Sequence, residues 1–500
     1  MSAQASPGGF VMIGQSLGRV ASWRQQWRLP RRLFHGWGEA DRHVGWQGAN
    51  WGGNCRWVGS TVLEPMCMAE LQEGIRVSAR VRAVGSAHSF TPLVSGGPAV
   101  EPDVTLVSLR RMPRVCYVSN NEITVSAGTT YSEVCAYLAA NHPSLALPTT
   151  ASLPHFAVAG AVASGTHGSS GMGADGRLLL SGLDEAVSSI ELLGPDGTPR
   201  TLSDGDADFD CAVTSLGLLG IITKVTLRLC PAYSVRQRVY GNWPPQPSDT
   251  PTGQLARLLG SLPAAMRQTD SFSAFVQWHV DDGGMLILRD KVFTPGAPPL
   301  APPAEEWLET GMALRHEPIE GFLEAEFGAF DATSEGPWHD KMHIWMRNAT
   351  PFGPQAAAEL QLEHFVPLVH AAEALERTQL VAEQWGTNLL YSEIRAVRGG
   401  SQVLSPYTCD EGEGYDTLAI CNGFDGALGE DRVRAAAAVL EEALEPLRAR
   451  PHWAKLFAYS PPQLEELYGT RMSRFRQVAR AYDPDGKFSN EWCDRMVLGR

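Results

Sequence analysis

Residues 157–173 read A-V-A-G-A-V-A-S-G-T-H-G-S-S-G-M-G. Five glycines, Gly160, Gly165, Gly168, Gly171 and Gly173, stand among alanines and serines. Side chains this small let a backbone come close to a ligand, and exposed N–H groups in such a loop form a concave nest for pyrophosphate oxygens. No Gly-Lys-Ser/Thr follows, so this is not a Walker loop. A G-x-G-x-x-G string spans Gly171 to Gly176, but no predicted strand leads directly into it, and a Rossmann fingerprint is weakly supported. A glycine-rich loop without a ligand has the same composition, so the neighbouring segments carry the decision.

Upstream, Val84 to Phe90 reads V-G-S-A-H-S-F directly after a predicted strand. A histidine in a tight Gly-Ser loop can be a ligand, a base or a covalent anchor, although a hydrogen-bonded loop histidine is the commoner case. Far downstream, Ser392 to Val397 reads S-E-I-R-A-V. As a strand it points Glu393 and Arg395 to one face and Ile394 to the other. A carboxylate beside a guanidinium suits a polar ligand, and also a plain structural ion pair. Pro451 to Phe457, P-H-W-A-K-L-F, sets Lys455 among aromatic and apolar residues. A buried cation there needs an anion or ligand; a snorkelling surface lysine does not.

Between these segments the pattern is α+β, with strands in groups instead of a regular alternation with helices. Val81–Val84, Thr105–Leu109, Ile123–Ala127, Val187–Leu193 and Ile221–Leu227 read as strands. The turn Gly194-Pro195-Asp196-Gly197 predicts a hairpin. Thr130 to Asn141 reads as a capped helix, and Asp431 to Arg448 and Pro462 to Tyr482 as longer ones. Prolines cluster at 243–251 and 294–303 and mark linkers or long loops. These shifts divide the chain into an arm at 1–44, a domain at 45–235, a second at 236–450 and a C-terminal segment at 451–500.

With 500 residues and 44% hydrophobic content, the chain can bury the cores of two or three domains. Its net charge of −14 argues against a nucleic-acid or anionic-membrane partner. Nine cysteines, an odd number with no C-x-x-C pair, read as reduced thiols and offer no metal site. No apolar run reaches the roughly 20 residues of a transmembrane helix. Residues 1–38 contain five arginines and no acidic residue, the composition of an organelle transit segment or of a basic surface arm. A cytoplasmic location is expected, with a mitochondrial one as the alternative.

Taken in order, the segments resemble the vanillyl-alcohol-oxidase-type flavoproteins, and within them the aldonolactone and alditol oxidases, from about Gly45 to Met496. The resemblance implies a two-subdomain FAD-binding domain of the PCMH type. It also implies a substrate (cap) domain built on an antiparallel sheet flanked by helices. His88 matches the residue that bonds covalently to the flavin. Gly85, Ser86, Ala87, Ser89, Ser152, Val158, Gly160, Ser164, Gly165, Thr166, Gly168, Gly220 and Ile222 fall where the family contacts FAD. Ser152, Glu393, Arg395, Cys421 and Lys455 fall on the substrate side, with Lys455, Arg395 and Glu393 as the catalytic set. Asp483 to Asn490, D-P-D-G-K-F-S-N, matches the segment that returns to the FAD domain. One position departs: Cys421 stands where alditol oxidases carry a histidine, and a thiol is a poor substitute for imidazole as a hydroxyl partner.

The implied activity is oxidation of a CH–OH group in a polyol or sugar 1,4-lactone by hydride transfer to flavin N5, with O2 reduced to hydrogen peroxide. The alternatives are an aldonolactone dehydrogenase using a cytochrome or quinone, and a carbohydrate-binding protein on the same fold. The expected partners are a small polyol or lactone and O2, and the expected state is a monomer.

Overall fold

The computed structural model describes residues 11–12, 48–57, 60–95, 103–241, 251–278, 284–293, 303–308, 312–316, 333–342, 359–408 and 416–500. The arm at 1–44 lies outside them except for Val11–Met12, which pair with Val115 and Cys116.

Three sheets position the site. The first is parallel, with β1 (Thr61–Leu63), β2 (Arg80–Ala83) and β3 (Val104–Val107) in the order β1-β3-β2. Parallel neighbours need a crossover, and helix α1 (Met68–Val77) runs between β1 and β2. Its Leu71 and Ile75, one turn apart, bury against Val81 and Val107.

The second sheet is antiparallel: β4 (Val115–Ser119), β5 (Glu122–Ser126), β6 (Val187–Leu193), β7 (Pro199–Ser203) and β8 (Ile221–Arg228), ordered β4-β5-β8-β6-β7. Asn120 and Asn121, both at positive φ, turn the first hairpin. The Gly194–Gly197 turn closes the β6–β7 hairpin as its sequence predicts. Helix α2 (Tyr131–Asn141) opens on a capping box between Thr130 and Glu133. The short α3 (Val158–Ala163) lies inside the glycine-rich loop.

The third sheet has nine strands among the described residues and is antiparallel. Its long members are β9 (Ser234–Gly241), β10 (Ser271–Val276), β11 (Gly284–Val292), β12 (Glu359–Pro367), β13 (Leu389–Val397) and β14 (Thr417–Asp425), ordered β9-β11-β10-β13-β14-β12. Helices α4 (Pro251–Gln268), α5 (Ala371–Ala382) and α6 (Glu430–Leu444) belong to this half of the chain. Leu258 and Leu262, Leu375, and Leu440 from these helices form one core with Leu360, Leu362, Ile394 and Ile420. Alternation then forces Gln361, Glu363, Glu393 and Arg395 onto the opposite face.

The C-terminal helices α7 (Pro461–Tyr468) and α8 (Thr470–Tyr482) bring Leu464, Tyr468 and Phe475 into the core of the second sheet. Beyond them the chain meets the first sheet. Val81 donates to the Lys487 carbonyl at 2.7 Å, and Arg82 to the Phe488 carbonyl at 2.7 Å. Among the described residues no helix is long and apolar enough to cross a membrane.

Candidate active site

A cavity of about 780 Å³ opens between the first two sheets and the polar face of the third. That volume suits a large cofactor or ligand. From the N-terminal half it takes Gly85, Ser86, Ala87, His88, Ser89, Ser152, Gly160, Ser164, Thr166, Gly220 and Ile222. From the C-terminal half it takes Glu393, Arg395, Cys421 and Lys455. Residues predicted from segments hundreds of positions apart therefore share one wall.

Three expected cofactor contacts stand off the cavity surface. Val158 is buried in the core, and its N–H is taken by the Thr129 carbonyl at 2.9 Å. Gly165, at φ +73°, packs on Pro406 and donates to Val162. Gly168 donates to Ser181 at 2.8 Å, with the Thr149 hydroxyl against its Cα. Their N–H groups already serve the protein, so these residues shape the loop from behind. Ala151 is also fully buried, behind the cavity-lining Ser152.

Strand register builds the polar wall. Glu393 lies opposite Cys421, and Cys421 opposite Glu363, giving one row across β13, β14 and β12. The next row runs Tyr391, Gly423, Gln361. A Cβ at Gly423 would sit 2.5 Å from the Tyr391 ring, so only glycine leaves room for it. Arg395 is pinned from several sides. Its Nη2 donates to Glu363 Oε1 at 2.5 Å and its Nη1 to Ser152 Oγ at 3.2 Å, while Nε faces Glu393 Oε1 at 3.6 Å. Burial alone would lower the Arg395 pKa, but Glu393 and Glu363 outweigh it and raise it. The Cys421 thiol is pushed far up by burial and by Glu363, and stays neutral.

Lys455 is held by a turn that links the halves. His452 and Leu456 donate their N–H groups to Glu363 and Gln361 of β12, and the Ala454 carbonyl accepts from Phe90 at 2.7 Å. Lys455 Nζ donates to Gln361 Oε1 and lies 5.4 Å from the centre of the Phe90 ring.

His88 follows Ala87, a non-glycine residue at φ +57°. Such a backbone costs about 1 kcal/mol and persists only where the surroundings hold it. Here the Ala87 carbonyl accepts from Trp51 at 2.8 Å, and Asn50 donates to the Ser89 carbonyl at 2.8 Å. The His88 ring stacks near Trp51, and its Nε2 lies 2.8 Å from His155 Nε2. Burial, then His155 and Lys455, hold the ring well below its usual pKa, so it is a neutral imidazole.

Glu363, Gln361, His167 and Tyr391 also line the cavity and were not singled out from sequence. The signal existed in β12: Glu359, Gln361 and Glu363 alternate with Leu360 and Leu362, a polar face on a strand buried almost throughout.

Residues 60–203 match the family described as FAD binding domain, and residues 361–496 the family described as D-arabinono-1,4-lactone oxidase. The alditol oxidase of Streptomyces sp. is 32% identical over 453 residues, covering 90% of this chain and 99% of that one. The chain belongs to the alditol and aldonolactone oxidase family of FAD-dependent oxidoreductases. The L-gulono-1,4-lactone dehydrogenase of Mycobacterium tuberculosis is 25% identical over 90% of this chain and 99% of that one. A solvent-stable cholesterol oxidase shares the fold, with a TM-score of 0.70 at 14% identity, covering 91% of this chain and 97% of that one. Residues 60–203, which supply most of the first two sheets, thus belong to a PCMH-type FAD-binding domain, and FAD is the cofactor.

The cavity fits that cofactor on its own geometry. A Cβ at Gly160 would meet nothing within 4 Å, which marks open space over the loop. Glu393 Oε1 and Arg395 Nε, on the cavity wall, are buried with no hydrogen-bond partner among the described residues. Such groups call for a ligand or water.

Proposed function

We propose that the enzyme oxidises a CH–OH group of an alditol or a sugar 1,4-lactone and passes the electrons to O2, releasing hydrogen peroxide. One observation carries the substrate class. Glu393 Oε1, an acceptor, and Arg395 Nε, a donor, lie 3.6 Å apart, buried and without hydrogen bonds, on the cavity wall. An acceptor beside a donor suits neighbouring hydroxyl or carbonyl oxygens of a neutral sugar derivative. Bringing them together with a hydroxyl-rich ligand satisfies groups that are otherwise costly to bury.

FAD, when bound, supplies the hydride acceptor. The chain supplies position and charge. Glu393 accepts from the reacting or adjacent hydroxyl, and it is the candidate to take the proton. Arg395 and Lys455 are fixed cations that stabilise negative charge developing on the cofactor side; such preorganised groups are worth several kcal/mol each. Ser152 holds Arg395 and faces the substrate. His88 is the candidate covalent anchor, because its neutral ring has a nucleophilic nitrogen on the cavity. Gly85, Ser86, Ala87, Ser89, Gly160, Ser164, Thr166, Gly220 and Ile222 cradle the cofactor. Cys421 fills the centre of the polar row with a neutral thiol, which weakens hydroxyl recognition there relative to an imidazole.

The likeness to a lactone dehydrogenase favours a second reading, in which a protein or quinone acceptor replaces O2. A screen of alditols against 1,4-lactones, first as anaerobic bleaching of the flavin and then as peroxide release, tests both. Bleaching with peroxide supports the oxidase, and bleaching without peroxide supports the dehydrogenase. A flavin that no alditol or lactone bleaches overturns the substrate class.

A further inference from the structure

Behind Arg395 lies a second buried polar pair. Glu363 is 1% exposed, and its Oε1 meets both Arg395 Nη2 and, at 3.1 Å, His167 Nε2. His167 is 3% exposed, and its Nδ1 lies 2.8 Å from the Gly168 carbonyl oxygen. A carbonyl only accepts. An ionised carboxylate also only accepts, and Glu363 is ionised: Arg395 and His167 overcome burial and hold its carboxyl far below the usual range. Nε2 therefore faces an acceptor as well, and both ring nitrogens of His167 are engaged by oxygens.

A third ring stands close by. Ligand atoms of His167, Glu363 and His452 lie within 4.8 Å of one another, a spacing that a metal ion could use. The hydrogens argue otherwise. His452 Nδ1 accepts the Ala454 N–H at 3.0 Å, so a neutral His452 ring carries its proton on Nε2 and has no lone pair there. Burial, followed by Lys455 and His167, pushes His452 down to about 3 against the pull of Glu363, and the ring is neutral. Two donors, Arg395 and His167, thus converge on one carboxylate, with the His452 ring beside them.

We propose that His167 and Glu363 are positioning residues for Arg395: the buried His167 ring holds the Glu363 carboxylate in place, and Glu363 fixes the guanidinium so that Nε and Nη1 face Glu393 and Ser152. The inference rests on Arg395 acting in the reaction proposed above. It separates the roles of two carboxylates in one row. Glu363 is committed to Arg395 and His167, while Glu393 Oε1 is left for the substrate. The charged or titratable groups facing the pair are Arg395, Glu393, Cys421, His452, Lys455 and Tyr407.

The holoenzyme labelled with ¹⁵N-histidine tests the pair without turnover. One ring is expected to show an Nε2–H in a strong hydrogen bond to a carboxylate, seen as a downfield-shifted proton. That signal is expected to vanish in Glu363→Gln and in His167→Gln. In turnover, Glu363→Gln is expected to lower kcat/KM about 100-fold, the scale of a misplaced group near the chemistry. His167→Gln keeps a donor near Glu363 without the imidazole, and its activity is expected to fall as pH falls and Glu363 takes up a proton, a limb the wild type lacks. If no downfield histidine N–H signal is lost on Glu363→Gln, the proposal is overturned. A Glu363→Gln enzyme with a lower melting temperature but unchanged kcat/KM and pH profile also overturns it, because the pair is then only structural. Should Glu363→Gln not fold, Glu363→Asp, which withdraws the carboxylate by one methylene, and His167→Gln carry the test. A wild type that oxidises neither substrate class refutes the proposed function, and the ring signals alone then judge the His167–Glu363 pair.

Discussion

Arg395 concentrates the chemistry of the site in one side chain. It holds Glu363 and Ser152 with its two Nη atoms and keeps Nε beside Glu393. A lysine retains the charge but presents a single point donor, and at a forked site that exchange is not conservative. Arg395→Lys is therefore expected to lower the rate of anaerobic flavin bleaching by roughly 100-fold or more while flavin content stays unchanged. A loss under about threefold would mean that the fork is idle. The sequence carried the Glu393–Arg395 pairing in the spacing of S-E-I-R, since strand alternation needs no tertiary information. It did not carry Glu363 to their side. That residue lies thirty positions away, and only the register of β12 and β13 on β14 aligns the three.

At the scale of elements, the turn after β13 ties the two halves together near the glycine-rich loop. Pro406 packs on Gly165, Val403 donates to the Asp210 carbonyl, and the Tyr407 hydroxyl donates to the buried carboxylate of Asp184. Next to it, Glu185 faces Arg398 at 3.7 Å. Burial and the neighbouring Asp184 raise the Glu185 pKa to about 8. A carboxyl raised above its unfolded value contributes stability that is complete below about pH 4.5 and lost as pH rises through about 8. Glu185→Gln cannot ionise, so its melting temperature relative to wild type is expected to climb between pH 6 and pH 9. A constant difference across that range would show that Glu185 is already charged at pH 6. Legibility was uneven at this scale. The capped helix after Thr130 and the hairpin at Gly194–Gly197 are local, and they stand where the sequence placed them. The six-residue helix α3 inside the glycine-rich loop was not foreseen. Its small residues carry no amphipathic signature, and its stability comes from packing.

For the whole molecule, the cavity is also the seam between the first two sheets and the third. Phe90 bonds Ala454 across it, and Arg395 bonds Ser152. A ligand that binds only the folded state stabilises it by mass action. If His88 tethers the flavin, the melting temperature of the wild type is independent of added FAD. The His88→Ala enzyme is expected to release all its flavin on acid precipitation and to melt higher as FAD is added, by about 2.7 kcal/mol of stabilisation at 100 times the dissociation constant. Flavin that stays in the acid pellet of His88→Ala would place the anchor elsewhere.

The sequence by itself determined the things that follow from chain-local chemistry. These are the alternating faces of the strands, the glycine-rich loop beside small residues, the histidine in its Gly-Ser turn, and the order of motifs that marks the family. Tertiary structure decided which of those residues meet. It turned Val158, Gly165 and Gly168 away from the cavity, because their N–H groups found partners in the protein first. It brought in Glu363 and His167, which meet through a hydrogen bond between residues 196 positions apart. Contacts of that kind depend on register and packing, which no local pattern encodes.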